Sequence, residues 1–154
     1  AQGAARFAQA ELAEHFGVGL ELWSATSYKR LREEAFAVER WNRLHPSQPP
    51  RTPRVTELLS AAPGPIVAVT DFMRAVPDQV SRWMPAHYTS LGTDGFGRSD
   101  TREALRRYFE TDGPHVVVAV LASLAATGAV PADVVDKAIS RYDIDPDAIE
   151  PWHG

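Results

Sequence analysis

The sequence predicts an α/β fold with a mostly parallel sheet. Two observations carry this. Segments with apolar residues three and four apart alternate along the chain with short strand-like runs. One of those runs, Ile66-Val67-Ala68-Val69, is apolar at every position, as expected of a strand covered on both faces. The length, 154 residues with no internal repeat or low-complexity tract, fits a single domain spanning the whole chain.

The first element is a helix over 4–16, with Ala5, Ala8, Leu12 and Phe16 on one face and Gly17 as its stop. Val18, Leu20 and Leu22 alternate with Gly19, Glu21 and Trp23, which predicts a strand. A hydroxyl at Thr26 or Ser27 then caps a second helix, apolar at Leu31, Ala35 and Val38, that ends before Pro46. The Pro-rich stretch 46–53 is an internal loop. Thr52-Pro53 reads as a cap and first helical position for a helix carrying Val55, Leu58, Leu59 and Ala62.

After the turn at Pro63-Gly64-Pro65 comes the strand 66–69. Thr70-Asp71 is expected to cap a helix bearing Phe72, Val76, Val80, Trp83 and Met84, with Pro77 in or near its first turn. Residues 87–91 read as a second short strand that enters a glycine-rich loop. Asp100 and Glu103 have capping-box spacing ahead of a helix over 101–110, which is expected to bury Leu105, Tyr108 and Phe109. Val116-Val117-Val118 favours a strand by propensity, but Val117, Val120, Leu121 and Leu124, with Gly128 beyond, favour a buried helix over 115–127, which we adopt. A last helix over 131–141 turns Val134, Val135, Ala138 and Ile139 inward. The acidic tail 143–154 is expected to be loosely held.

Composition removes several chemistries. Sixteen Lys and Arg against twenty Asp and Glu give a net charge of −4, which argues against a general nucleic-acid binder. The absence of cysteine removes disulfides, thiolate metal sites and thiol nucleophiles. No apolar run approaches the roughly 20 residues of a membrane span, and no signal peptide is visible, so a cytoplasmic domain is expected. His15, His45, His87, His115 and His153 form no short-range metal pair.

Ligands on parallel sheets lie beyond the carboxyl ends of the strands, here Trp23-Ser24, Thr70-Asp71 and the loop after residue 91. That loop, Gly92-Thr-Asp-Gly-Phe-Gly-Arg-Ser-Asp100, is the sharpest local feature. Gly92, Asp94, Gly95, Phe96, Gly97, Arg98 and Ser99 form the candidate site. Open amides before a helix, with Arg98 beside them, suit a phosphate or carboxylate. A tight turn that needs glycine dihedrals explains the same residues. Neither a dinucleotide fingerprint nor a P-loop is present. Asp94 and Asp100 form a possible acid/base pair, for which capping and turn formation are the alternative. Segment 28–54 sets seven Lys and Arg against three Glu, either a docking face for an acidic partner or a solvated helix.

Three stretches carry the reading further: Leu22-Trp-Ser-Ala-Thr-Ser-Tyr28, Glu39-Arg-Trp-Asn-Arg-Leu-His-Pro46 and Leu91-Gly-Thr-Asp-Gly-Phe-Gly-Arg-Ser-Asp-Thr-Arg-Glu103. With Thr70-Asp71-Phe-Met, Val76-Pro-Asp-Gln79 and His115-Val-Val-Val-Ala119 in the same order, they closely resemble the C-terminal domain of homodimeric bacterial pyruvate dehydrogenase first components, in the transketolase superfamily. The resemblance runs from about Gly3 to the tail. It implies a three-layer α/β domain with a mostly parallel sheet, like other transketolase C-terminal domains. It also implies a strand and glycine turn before the first helix. Since the sequence begins at that turn, the strand is expected to be absent or to belong to sequence not shown.

By the same resemblance the domain is structural and helps build a homodimer. The whole enzyme decarboxylates pyruvate with thiamine diphosphate and magnesium and reductively acetylates lipoyl groups of the acetyltransferase component. The other expected partners are the remaining domains and the dimer mate, with no nucleic acid or membrane. Two alternatives stand beside this reading: a stand-alone subunit of a split 2-oxo acid dehydrogenase, and a non-catalytic module for an anion or acidic partner. The family's diphosphate motif is a Gly-Asp-Gly followed by paired asparagines. Thr93-Asp94-Gly95 departs from it, and Asn42 is the sole asparagine. No catalytic, cofactor or metal residue is therefore carried over, and this chain alone is expected to bind no cofactor.

Overall fold

A computed structural model describes residues 1–153. Helix α1, Gln2–Phe16, buries Ala4, Ala8 and Leu12 one turn apart, so the expected stripe holds at Ala8 and Leu12 with Ala4 in the place of Ala5. It closes on Gly17 in the left-handed region, where the amide of Val18 reaches back to the Leu12 carbonyl at 3.0 Å. Helix α2, Tyr28–Leu44, starts on Ser27, whose hydroxyl accepts from the Arg30 amide. Helix α3, Arg54–Leu59, follows the proline loop, and that loop is pinned to α2 by Asn42. The Asn42 amide group donates to the Arg51 carbonyl at 2.9 Å and accepts from the Arg51 amide at 2.8 Å.

Strands β1, Ile66–Val69, and β2, Tyr88–Leu91, pair in parallel, with Ile66 opposite Tyr88 and Val69 opposite Leu91. A short helix α4, Ala75–Asp78, and a 3-10 turn, Ser81–Trp83, lie between them. Helices α5, Arg102–Tyr108, α6, Gly113–Ala126, and α7, Ala132–Arg141, complete the chain.

The core has two parts. Ala4, Ala8 and Leu12 of α1 interlock with Val116, Val117, Val120 and Leu121 of α6 and Ala138 of α7. Val67, Val69 and Leu91 pack on this cluster from one face of the sheet. Helix α6 buries more than one side because it lies between α1, α7 and both strands, so its sequence is apolar nearly all round. A second cluster joins Ala35, Val55, Val80 and Trp83, flanked by Tyr28 and Leu31. Alternation turns Tyr88 to the other face of the sheet, where burial, reinforced by nearby Asp78 and Tyr28, pushes its phenol well above the usual value. The small parallel sheet thus sits between helical layers.

Five expectations need correction. Residues 18–22 form no strand: Val18 and Leu20 do pack on the first cluster, but the segment finds no ladder partner among the described residues. Beyond the Val18 amide that closes α1, it is tied by the Gln9 side-chain amide to the Leu20 carbonyl at 2.7 Å. A strand exists only as part of a pair, and alternation supplies half of it. The long helix expected after Thr70 is replaced by a turn, α4 and the 3-10 turn. The Thr70 hydroxyl accepts from the Phe72 amide, and the Phe72 carbonyl is taken by the Thr93 amide at 2.9 Å. That leaves Phe72 and Met73 exposed instead of on a helix face.

The cap of α5 is Thr101, accepting from the Ala104 amide, and Leu105, Tyr108 and Phe109 are only partly buried. At α3 the cap position is Pro53, and Glu34 accepts from the Arg54 amide instead of Thr52. The tail is also not free of the body: Pro151 is buried, and its carbonyl accepts from the Tyr108 hydroxyl at 3.3 Å.

Candidate functional site

Parallel pairing brings the carboxyl ends of β1 and β2 side by side, so the segments beyond them meet. The Thr70 amide bonds the Leu91 carbonyl at 3.0 Å, extending the ladder by one step. The Thr93 hydroxyl donates to the Asp71 carbonyl at 3.1 Å. Asp94 then closes the zipper, its carboxylate accepting from the Arg74 amide at 3.0 Å and pairing with the Arg74 guanidinium.

This closeness explains two of the glycines. A Cβ on Gly92 would stand 2.6 Å from the Phe72 carbonyl oxygen and 2.7 Å from the Arg74 nitrogen, both backbone atoms that cannot swing away. Gly95 has φ of 118° and lies against the tail; a Cβ there would stand 2.3 Å from the Pro151 carbonyl oxygen. The Arg74 guanidinium lies 4.6 Å over the Trp152 ring, fastening the tail to the same junction. The first half of the loop is therefore a packed joint between three chain segments.

The second half is different. Phe96 is 78% exposed, nothing lies within 4 Å of a Cβ placed on Gly97, and Ser99 is exposed. Arg98 lies with its guanidinium 4.2 Å over the Tyr108 ring. Asp100 turns back on the Thr101 amide at 2.7 Å. Asp94 and Asp100 are thus committed separately, one to Arg74 and one to a backbone amide, and they do not form an acid/base pair. The first turn of α5 is likewise served by its own Thr101.

Between Asp71, the loop and α5 opens a cleft of about 640 Å³. Arg98, Arg102 and Arg106 line it, with Thr111 on its inner wall. Arg106 donates to the Asp71 carboxylate at 2.7 Å. Sequence reasoning picked out Arg98 but missed the others. The i, i+4 spacing of Arg102 and Arg106 was a usable signal. Nothing in the sequence marks Thr111, which enters through the turn between α5 and α6. Beside the cleft Phe72 and Met73 are 68% and 57% exposed and, with Phe96, give this end of the sheet an apolar rim.

Away from the cleft, the Trp41 ring is stacked between the His45 ring at 4.6 Å and the Arg51 guanidinium at 3.8 Å, and Glu39 accepts from Arg82 and from the Trp83 indole. Within the basic segment Arg51 is thus stacked on Trp41 at the surface, while Trp23 is 54% exposed. Among the described residues no group of three or more His, Asp or Glu is placed to hold a metal ion, and no helix is long and apolar enough to cross a membrane. These residues do not fit a diphosphate cofactor with its divalent ion: the Asp94 carboxylate is taken by Arg74, and Asn42 is tied to Arg51.

Residues 3–112 match the sequence pattern of the transketolase-like TK C-terminal domain family. The chain is 47% identical over 141 residues to the pyruvate dehydrogenase E1 component of Pseudomonas aeruginosa, covering 91% of this chain and 16% of that protein. It is 50% identical over 134 residues to the Mycolicibacterium smegmatis E1 component, covering 87% of this chain and 14% of that protein. Against the Escherichia coli K12 E1 component it is 45% identical over 141 residues, 91% of this chain and 16% of the relative. The chain spans about a sixth of the length of these relatives.

Proposed function

Because the chain belongs to the transketolase-like C-terminal domain family, we propose that it serves as the C-terminal structural domain of a cytoplasmic, homodimeric, thiamine diphosphate-dependent pyruvate dehydrogenase. The observation that carries this is identity of 45–50% to E1 components over most of this chain but only 14–16% of theirs. In this reading the chemistry, the cofactor and the choice of 2-oxo acid belong to the remaining domains. The acetyltransferase component is a partner of the whole enzyme.

What this chain supplies is a surface. Phe72, Met73 and Phe96 are exposed large apolar side chains at one end of the sheet, two of them on the segment that β1 feeds directly. Exposed apolar clusters mark interaction sites more often than they mark a free surface. We assign this rim to packing against another domain of the dehydrogenase or its dimer mate.

The test removes the region from the parent enzyme and then supplies it in trans. Removal should abolish pyruvate-dependent acetyl transfer and the dimer seen in sedimentation velocity. The separate chain should restore both in part, and should restore less when it carries Phe96→Asp. Full activity and an intact dimer without the region would overturn the proposal.

A further inference from the structure

We propose that the cleft beyond the carboxyl ends of β1 and β2 binds a phosphate group, free or carried on a small ester. Its volume, about 640 Å³, lies in the range of roughly 300–1,000 Å³ typical of small-molecule sites. Its chemistry is dominated by donors. Arg102 has no hydrogen-bond or ion-pair partner among the described residues. Arg98 is held only through the face of its guanidinium, so its N–H edges are unspent. Of the two carboxylates that line the cleft, Asp71 is paired with Arg106 and with the N-terminal ammonium, and Asp100 is folded onto the Thr101 amide.

A further observation points to an acceptor-rich occupant. The backbone amides from Gly95 to Asp100 donate to no acceptor among the described residues. Planar guanidinium forks and open amides together suit the several oxygens of a phosphate better than an apolar group or a cation. The inference does not depend on which enzyme carries the domain.

The experiment titrates the polypeptide that carries this domain with inorganic phosphate, and separately with glycerol phosphate, by calorimetry at constant ionic strength. Saturable binding of at least one is expected. Arg102→Gln should weaken it about tenfold or more while leaving the melting temperature without phosphate unchanged. Arg98→Gln should also weaken it, and Arg6→Gln, on the exposed face of α1, should not. Binding of phosphate alone would identify a free-anion site, and tighter binding of the ester an organic ligand. No saturable binding of either, or binding that Arg102→Gln leaves intact, would overturn the proposal.

Discussion

Gly92 shows how one residue can set the geometry of a whole junction. The loop it opens passes so near the Phe72–Arg74 backbone that a single added methyl group meets main-chain atoms on two sides. Gly92→Ala should therefore cost about 1–3 kcal/mol, the usual range for forcing an extra carbon into a packed site. Scanning calorimetry should show that as a fall in Tm of about 2–4 °C per kcal/mol for a domain of this size. Gly97→Ala, where nothing lies within 4 Å, should stay within about 0.5 kcal/mol of wild type. Equal effects at the two positions would contradict the packed-joint account. The sequence displayed these glycines as one motif, but only the tertiary approach of residues 72–74 and 151–152 separates those that fill a joint from one that faces solvent.

At the scale of elements, α6 depends on a cap that titrates. Asp112 accepts from the His115 amide at 3.0 Å and contacts the His115 ring at 2.6 Å, with Arg107 beside it. Burial alone would raise this carboxyl, but the hydrogen bonds from His115 and the nearby positive charges outweigh it and hold it below the usual carboxylate range. A carboxyl depressed in the folded state contributes stability above its unfolded value of about 3.9, and that contribution is lost as the pH falls through the lower folded value. Urea unfolding of the wild type between pH 7 and pH 3 should show this loss, and Asp112→Asn should show a shallower acid decline from a lower starting stability. Parallel pH curves for the two proteins would contradict the assignment.

The same scale shows what was legible beforehand. Helices α1, α2 and α7 were readable from a stripe set by their own local periodicity, α6 from the length of its apolar run, and 66–69 because it is apolar throughout. Residues 18–22 were misread because a strand needs a neighbour that local sequence cannot provide. The helix expected after Thr70 failed because the Phe72 carbonyl is claimed from twenty-one residues away, by Thr93.

For the molecule as a whole, two core clusters and a small sheet leave an exposed apolar rim of Phe72, Met73 and Phe96 at one end. The glycine loop was visible in the sequence as a candidate site. The cleft beside it was not, since Asp71, Arg102 and Thr111 meet only once β1, α5 and the turn before α6 are assembled. In the proposed function this domain works as part of a much longer dehydrogenase. An immunoblot of source cells under denaturing conditions, with an antibody raised against this chain, decides it. A single band is expected from a polypeptide about six times as long, as the 14–16% share of its relatives implies. A band at 16.9 kDa, the mass of this chain, with no longer species would contradict it.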